Sequence, residues 1–200
     1  MNKAGHIFVT GQTLKGDYQG YRRWLLFGSI LPDLLFHTYL IGHTWNATFQ
    51  KTIRGMARLE KWGEMGALSC IGLGYYLHFI EDYFTFPHNT NFRGGFVAHV
   101  IYEKRFTEHL MQSWQVRKEG AQVTDLKQLQ DELIRLHEGY MAQDMPEFDC
   151  DERYIYEAAD CVLTYFATVL QRNRKVLDAA RLEAFYIAQD GLMGGRHETV

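Results

Sequence analysis

His78 and Asp82 stand four residues apart in a run of Leu, Ile, Tyr and Phe, and His99 and Glu103 repeat the spacing further on. On a helix, residues four apart share a face. His88 lies between the two pairs, directly after Pro87. Three imidazoles and two carboxylates thus come from the stretch 78–103, the donor mix that zinc takes. No Lys or Arg occurs between residues 67 and 84, so an ionised Asp82 among apolar neighbours needs a metal or another partner. Metal binding would also draw the two helices and the loop between them into one unit.

Further donors lie upstream. Asp33 follows Pro32, His37 comes four residues later, His43 lies beyond it, and His6 stands near the start. Together these side chains supply two ions, with a third within reach. Three carboxylates against two Zn²⁺ leave a surplus of about one positive charge, or about three with a third ion, which favours an anionic substrate such as a phosphate ester. Other templates are missing. The chain has no His-Glu-x-x-His, no adjacent His-Asp, no paired Glu-x-x-His, no Gly-x-Ser-x-Gly and no Walker-type phosphate loop. His109 falls off the His99/Glu103 face, and His137 and His197 read as solvated or tail residues.

The elements that must position these groups read as helices. Residues 1–20 allow one short helix. Tyr21–Phe27 and Pro32–Leu40 read as two helices broken at Gly28-Ser29, with Pro32 at a first helical position and Asp33 behind it. Residues 46–66 form a polar amphipathic helix or pair. Residues 67–84 are apolar almost all round, the mark of a central buried helix. A loop with Pro87, Asn89, Asn91, Gly94 and Gly95 follows, and helical spacing resumes over 96–115. Thr124 reads as the cap of a helix carrying Leu126, Leu129, Leu133 and Leu136. Residues 144–152 make a turn. One long helix carries Ile155, Ala158, Val162, Phe166 and Leu170, and another spans about 174–189. No alternating strand is evident. The expectation is a single all-α domain, residues 1–200, a helical bundle with a metal cleft.

Composition narrows the class. The chain has 200 residues, 21 Lys and Arg against 24 Asp and Glu, and a net charge of −3, which argues against holding duplex nucleic acid by bulk charge. Its 46% hydrophobic and 22% charged residues exclude a disordered chain. Three cysteines in no C-x-x-C pair suggest neither a disulfide framework nor a thiolate zinc site. Residues 24–42 are mostly apolar, but Pro32, Asp33 and His37 interrupt them, which favours a buried segment over a membrane span. With no signal-peptide pattern at the start, a cytoplasmic location is expected.

Gly28-Ser-Ile-Leu-Pro-Asp33, Tyr76-Leu-His78-Phe-Ile-Glu-Asp82, Pro87-His88 and His99-Val-Ile-Tyr-Glu103, with His6 ahead of them, resemble the zinc-dependent phospholipase C family, whose fold is shared with fungal single-strand nucleases. The likeness covers about residues 3–110, and residues 115–200 carry no matching motif. It implies an all-α domain with a trinuclear zinc cleft. By position, Asp33, His43 (or His37), His78 and Asp82 would hold one ion, and His88, His99 and Glu103 a second. His6 would hold a third, with Asp82 bridging. In secreted family members an N-terminal Trp supplies its amine and carbonyl to that ion; here the chain reads Met1-Asn2, so a third ion requires a substitute donor.

The expected activity is hydrolysis of a phosphoester by metal-activated water, with Asp33 as general base. The substrate classes are a phospholipid, a nucleotide or another small phosphodiester. The rivals are a metal-dependent nuclease of the same fold and a non-catalytic helical protein with structural zinc. Structural sites are closed by four protein ligands, whereas His88, His99 and Glu103 number three and leave a position open.

Overall fold

The structure is a computed structural model that describes residues 1–35, 43–113, 121–143 and 146–194. Among the described residues it is all-α, with seven helices and no strand. His37, His197 and the end of the expected 32–40 helix lie outside the described residues. None of the described helices is long and apolar enough to cross a membrane.

Helix α1 (Lys3–Thr13) starts where the Asn2 side chain accepts the Gly5 N–H at 3.0 Å. A 3₁₀ turn, Gly16–Tyr18, leads to α2 (Arg22–Leu34). α2 corrects the expected break. Gly28 and Ser29 lie inside one continuous helix, and Pro32 sits near its end rather than opening a new one. Proline at 32 forgoes the backbone bond to the Gly28 carbonyl, a loss tolerable in the last turn. Gly28 is there for proximity: a Cβ on it would meet the Ile71 carbonyl oxygen at 2.2 Å, and one on Gly74 would meet the Leu25 carbonyl oxygen at 2.2 Å. Two glycines thus let α2 lie directly against the helix Ala67–Tyr83.

Helix α3 (Trp45–Trp62) buries Phe49, Ile53 and Met56 along one face. Helix α4 (Ala67–Tyr83) is the central helix anticipated from its composition, burying Leu73, Leu77 and Ile80 among others. A second 3₁₀ turn (Phe86–His88) replaces part of the expected loop, and α5 (Phe96–Ser113) follows.

Helix α6 (Leu126–Met141) is capped by Asp125, which accepts the Gln128 N–H at 2.8 Å. The cap therefore falls one residue after Thr124, whose hydroxyl instead bonds the Gln128 side chain. Helix α7 runs unbroken from Phe148 to Gly194, absorbing the second half of the turn expected over 144–152 and the separate last helix. No proline or glycine lies between Phe148 and Asp190 to stop it. Its middle buries Ile155, Ala158, Val162, Phe166 and Leu170, while residues 174–184 are exposed throughout. A continuous buried cluster extends from Met1 to Leu170, with Cys70, Cys150 and Cys161 as free thiols.

Candidate metal centre

The first two turns of α1, the end of α2, His43 ahead of α3, the last turns of α4, the 86–88 turn and the start of α5 converge on one cleft of about 470 Å³. Asp82 stands at its centre with a side chain 1% exposed. Its two oxygens face different partners. Oδ1 lies 2.6 Å from the Met1 amine, 3.3 Å from His6 Nε2 and 3.5 Å from His88 Nε2. Oδ2 lies 3.1 Å from His43 Nδ1 and 3.3 Å from His78 Nε2. Glu103 gathers a second set: its Oε1 is 2.9 Å from the Met1 amine, 3.1 Å from His88 Nε2 and 2.9 Å from His99 Nε2. Asp33 Oδ1 stands 3.7 Å from His78 Nε2.

Three groups of donor atoms, each within 4.8 Å of one another, result: His6, His78 and Asp82; Asp33, His43 and His78; and His88, His99 and Glu103. All eight candidate residues named from the sequence, other than His37, are brought together. A fourth group, His109 with Asp149 and Glu152, lies on α5 and α7 outside the cleft. His109 is therefore tied to α7 rather than idle.

His78 and His6 are aimed by partners on their other nitrogens. His78 Nδ1 stands 2.8 Å from the Ser29 carbonyl, an acceptor only, so Nδ1 carries the proton and the Nε2 lone pair points at Asp82. Burial, helped by the neighbouring His6, pushes His78 down to about 3, so Nε2 stays unprotonated at neutral pH. That lone pair also lies 3.0 Å from His43 Nδ1, so His43 and Asp82 share the space in front of it, where a cation would have both as ligands. His6 Nδ1 meets Glu81 Oε2 at 2.6 Å, and the Thr10 hydroxyl donates to Glu81 Oε1 at 2.8 Å. His6 Nε2, fully buried, makes no hydrogen bond and faces the same centre. Burial alone would lower His6, but Asp82 and Glu81 lift it to about 9. This arrangement is the carboxylate–histidine pairing that orients metal ligands.

The remaining shifts follow the same charges. Burial would raise Asp82 and Glu103, yet in both the surrounding imidazoles and the Met1 amine prevail and hold the carboxyl well below the usual range. Burial would lower the Met1 amine, but Asp82 and Glu103 push it up to about 10. Burial pushes His88 down to about 4, and it raises Asp33. A donor set rich in imidazole and carboxylate, with anions concentrated at its centre, fits zinc.

Sequence reading missed Glu81, Thr10 and the Ser29 carbonyl. Glu81 had a signal, because it shares with Asp82 the helix that offers no basic partner. It also missed His137, which is not a solvated residue: its ring stacks on Trp45 at 3.8 Å and its Nε2 meets Asn89 Oδ1 at 3.1 Å. Asn89 in turn donates to the Tyr83 and Thr85 carbonyls, fixing the chain beside His88.

No curated protein and no solved structure gives a significant match to the chain. A family profile does. Described as zinc dependent phospholipase C, it matches residues 5–147, a span holding His6, Asp33, His43, His78, Asp82, His88, His99 and Glu103. On that match, and with these donors gathered in one cleft, the chain belongs to the zinc-dependent phospholipase C family.

Proposed function

We propose that the cleft hydrolyses a phosphoester, with a phospholipid as the favoured substrate class, using two or three zinc ions. The observation that carries this reading is Asp82, whose two oxygens face separate sets of imidazoles at 3.1–3.5 Å, the geometry of a carboxylate shared between ions. His43, His78 and Asp33 would hold one ion with Asp82, and His88, His99 and Glu103 a second. His6 and Asp82 would hold a third. Zinc bound there supplies Lewis acidity toward phosphoryl oxygens and makes water a nucleophile near neutral pH.

The chain's own groups supply the rest. Asp33 lines the cleft, and burial raises its carboxyl, which suits it to take up a proton from the attacking water. Glu81 and the Ser29 carbonyl hold His6 and His78 in one ring orientation, so the centre is organised before substrate arrives. Phe96 and Val100 line the cleft beside His99 and Glu103, and Val97 and Ile101 extend their apolar surface. Phe96 is 82% and Val97 70% exposed, an apolar lip that suits an acyl-bearing substrate better than a nucleic acid strand.

The test is metal content per chain together with turnover of phospholipid and phosphodiester substrates. Asp82→Asn should lose zinc and activity together, because one carboxylate serves more than one ion. An Asp82→Asn protein with full zinc and wild-type turnover would overturn the reading.

A further inference from the structure

We infer that Asp151, on α7, is a positioning residue that sets the geometry of the His88, His99 and Glu103 donors. The inference rests on the zinc reading of the cleft and adds a part of the chain that lies beyond the family-matched span. The Asp151 side chain is fully buried, and three donors converge on it. Its Oδ2 accepts the Phe86 N–H at 2.9 Å and the Tyr102 hydroxyl at 2.9 Å, while its Oδ1 accepts the Tyr140 hydroxyl at 2.7 Å.

The placement of these partners gives the carboxylate its role. Phe86 opens the 3₁₀ turn that ends at His88. Tyr102 sits on α5 immediately before Glu103 and three residues after His99. One oxygen atom therefore ties together the two backbone segments that carry all three donors. Tyr140 joins the same carboxylate from α6, away from the cleft.

A carboxylate suits this post because it only accepts, and can take several N–H and O–H donors at once. An amide in its place keeps one acceptor oxygen and presents an NH₂ that cannot accept the Phe86 or Tyr102 proton. The turn bearing His88 and the helix bearing His99 and Glu103 would then lose their common anchor. Ligand sets held by outer hydrogen bonds lose metal affinity when those bonds go, by about 10–100-fold.

The experiment compares full-length wild type, Asp151→Asn, Tyr102→Phe and Tyr140→Phe, each loaded with Zn²⁺ alone and titrated with a graded series of chelators. Circular dichroism and thermal melts are run alongside. The expected result is that Asp151→Asn keeps its helical spectrum and releases one ion about 10–100-fold more readily, the others staying bound. Tyr102→Phe should loosen the same ion by a smaller factor. Tyr140→Phe should lower the melting temperature and leave zinc release unchanged.

That contrast separates positioning from plain stability. Zinc release that follows the melting temperature across all three variants would overturn the inference, as would no change in any of them. Should Asp151→Asn fail to fold, the two tyrosine variants decide alone. A wild-type protein that takes up no zinc would overturn the metal reading itself, a different failure from normal zinc with unaltered variants.

Discussion

Gly74→Ala is expected to part α2 from α4 and disturb the cleft from beneath. The added Cβ would lie 2.2 Å from the Leu25 carbonyl oxygen and 2.9 Å from the Ser29 nitrogen, against 3.4–4 Å for ordinary contact. Both neighbours are backbone, so relief requires the helices to separate by roughly 1 Å. Overpacking of this kind costs about 1–3 kcal/mol, and unyielding neighbours put it at the upper end. Alanine's better helix propensity returns about 1 kcal/mol. The net loss of about 2 kcal/mol corresponds to a fall of about 4–8 °C in melting temperature for a chain of this size. The Ser29 carbonyl that orients His78 moves with α2, so zinc should also bind more weakly.

The control lies two residues away on the same helix. A Cβ on Gly72 meets only Leu59 Cδ1, at 3.9 Å, so Gly72→Ala should gain about 0.5–1 kcal/mol and melt slightly higher. Thermal melts by circular dichroism, with zinc present and after chelation, read both variants. The reasoning fails if Gly74→Ala melts at or above the wild-type temperature, or if the two variants shift in the same direction.

Glu81→Gln removes the carboxylate that aims His6 and should weaken zinc binding by about 10–100-fold while the fold persists; unchanged chelator competition would count against that role. His137 is pushed down to about 4 by burial, from its ordinary 6.5, so the unfolded chain binds the extra proton between those values. Its contribution to stability is complete above pH 6.5 and is lost as pH falls toward 4. His137→Phe, which keeps a ring against Trp45, should therefore lose less stability than wild type between about pH 7 and pH 5, read as urea midpoints. Equal losses would show that another group carries the acid limb. Phe96→Ser with Val100→Ser should lower turnover of aggregated long-chain phospholipid roughly tenfold and spare a short soluble phosphodiester. A parallel fall on both substrates would remove the apolar lip from the account.

What was legible in the sequence was local. His78 with Asp82 and His99 with Glu103 announce themselves by helical spacing, and α4 by apolar residues on every side. Gly28-Ser29 misled because a glycine inside a helix carries the same letter as a glycine that ends one. Only the partner helix, with Gly74 opposite, tells them apart. The Glu81–His6 and Asp151–Phe86 contacts join residues 75 and 65 positions apart, and no spacing rule reaches that far. The candidate donor side chains could be picked out; the groups that hold them in place depend on tertiary packing.

Helix α7 has a consequence of its own. It is one helix by hydrogen bonding and two by energetics, since its turns up to Leu170 are locked in the core and those from Arg174 to Ala184 are exposed, with Arg174 and Arg181 reaching back to the Met65 carbonyl and Glu64. Backbone amides in the first part should exchange with deuterium only on global opening, while those in the second exchange by fraying. At about 1.5 Å per residue the exposed turns project outward as a rod. A protease could shorten that rod turn by turn and leave every side chain of the cleft attached.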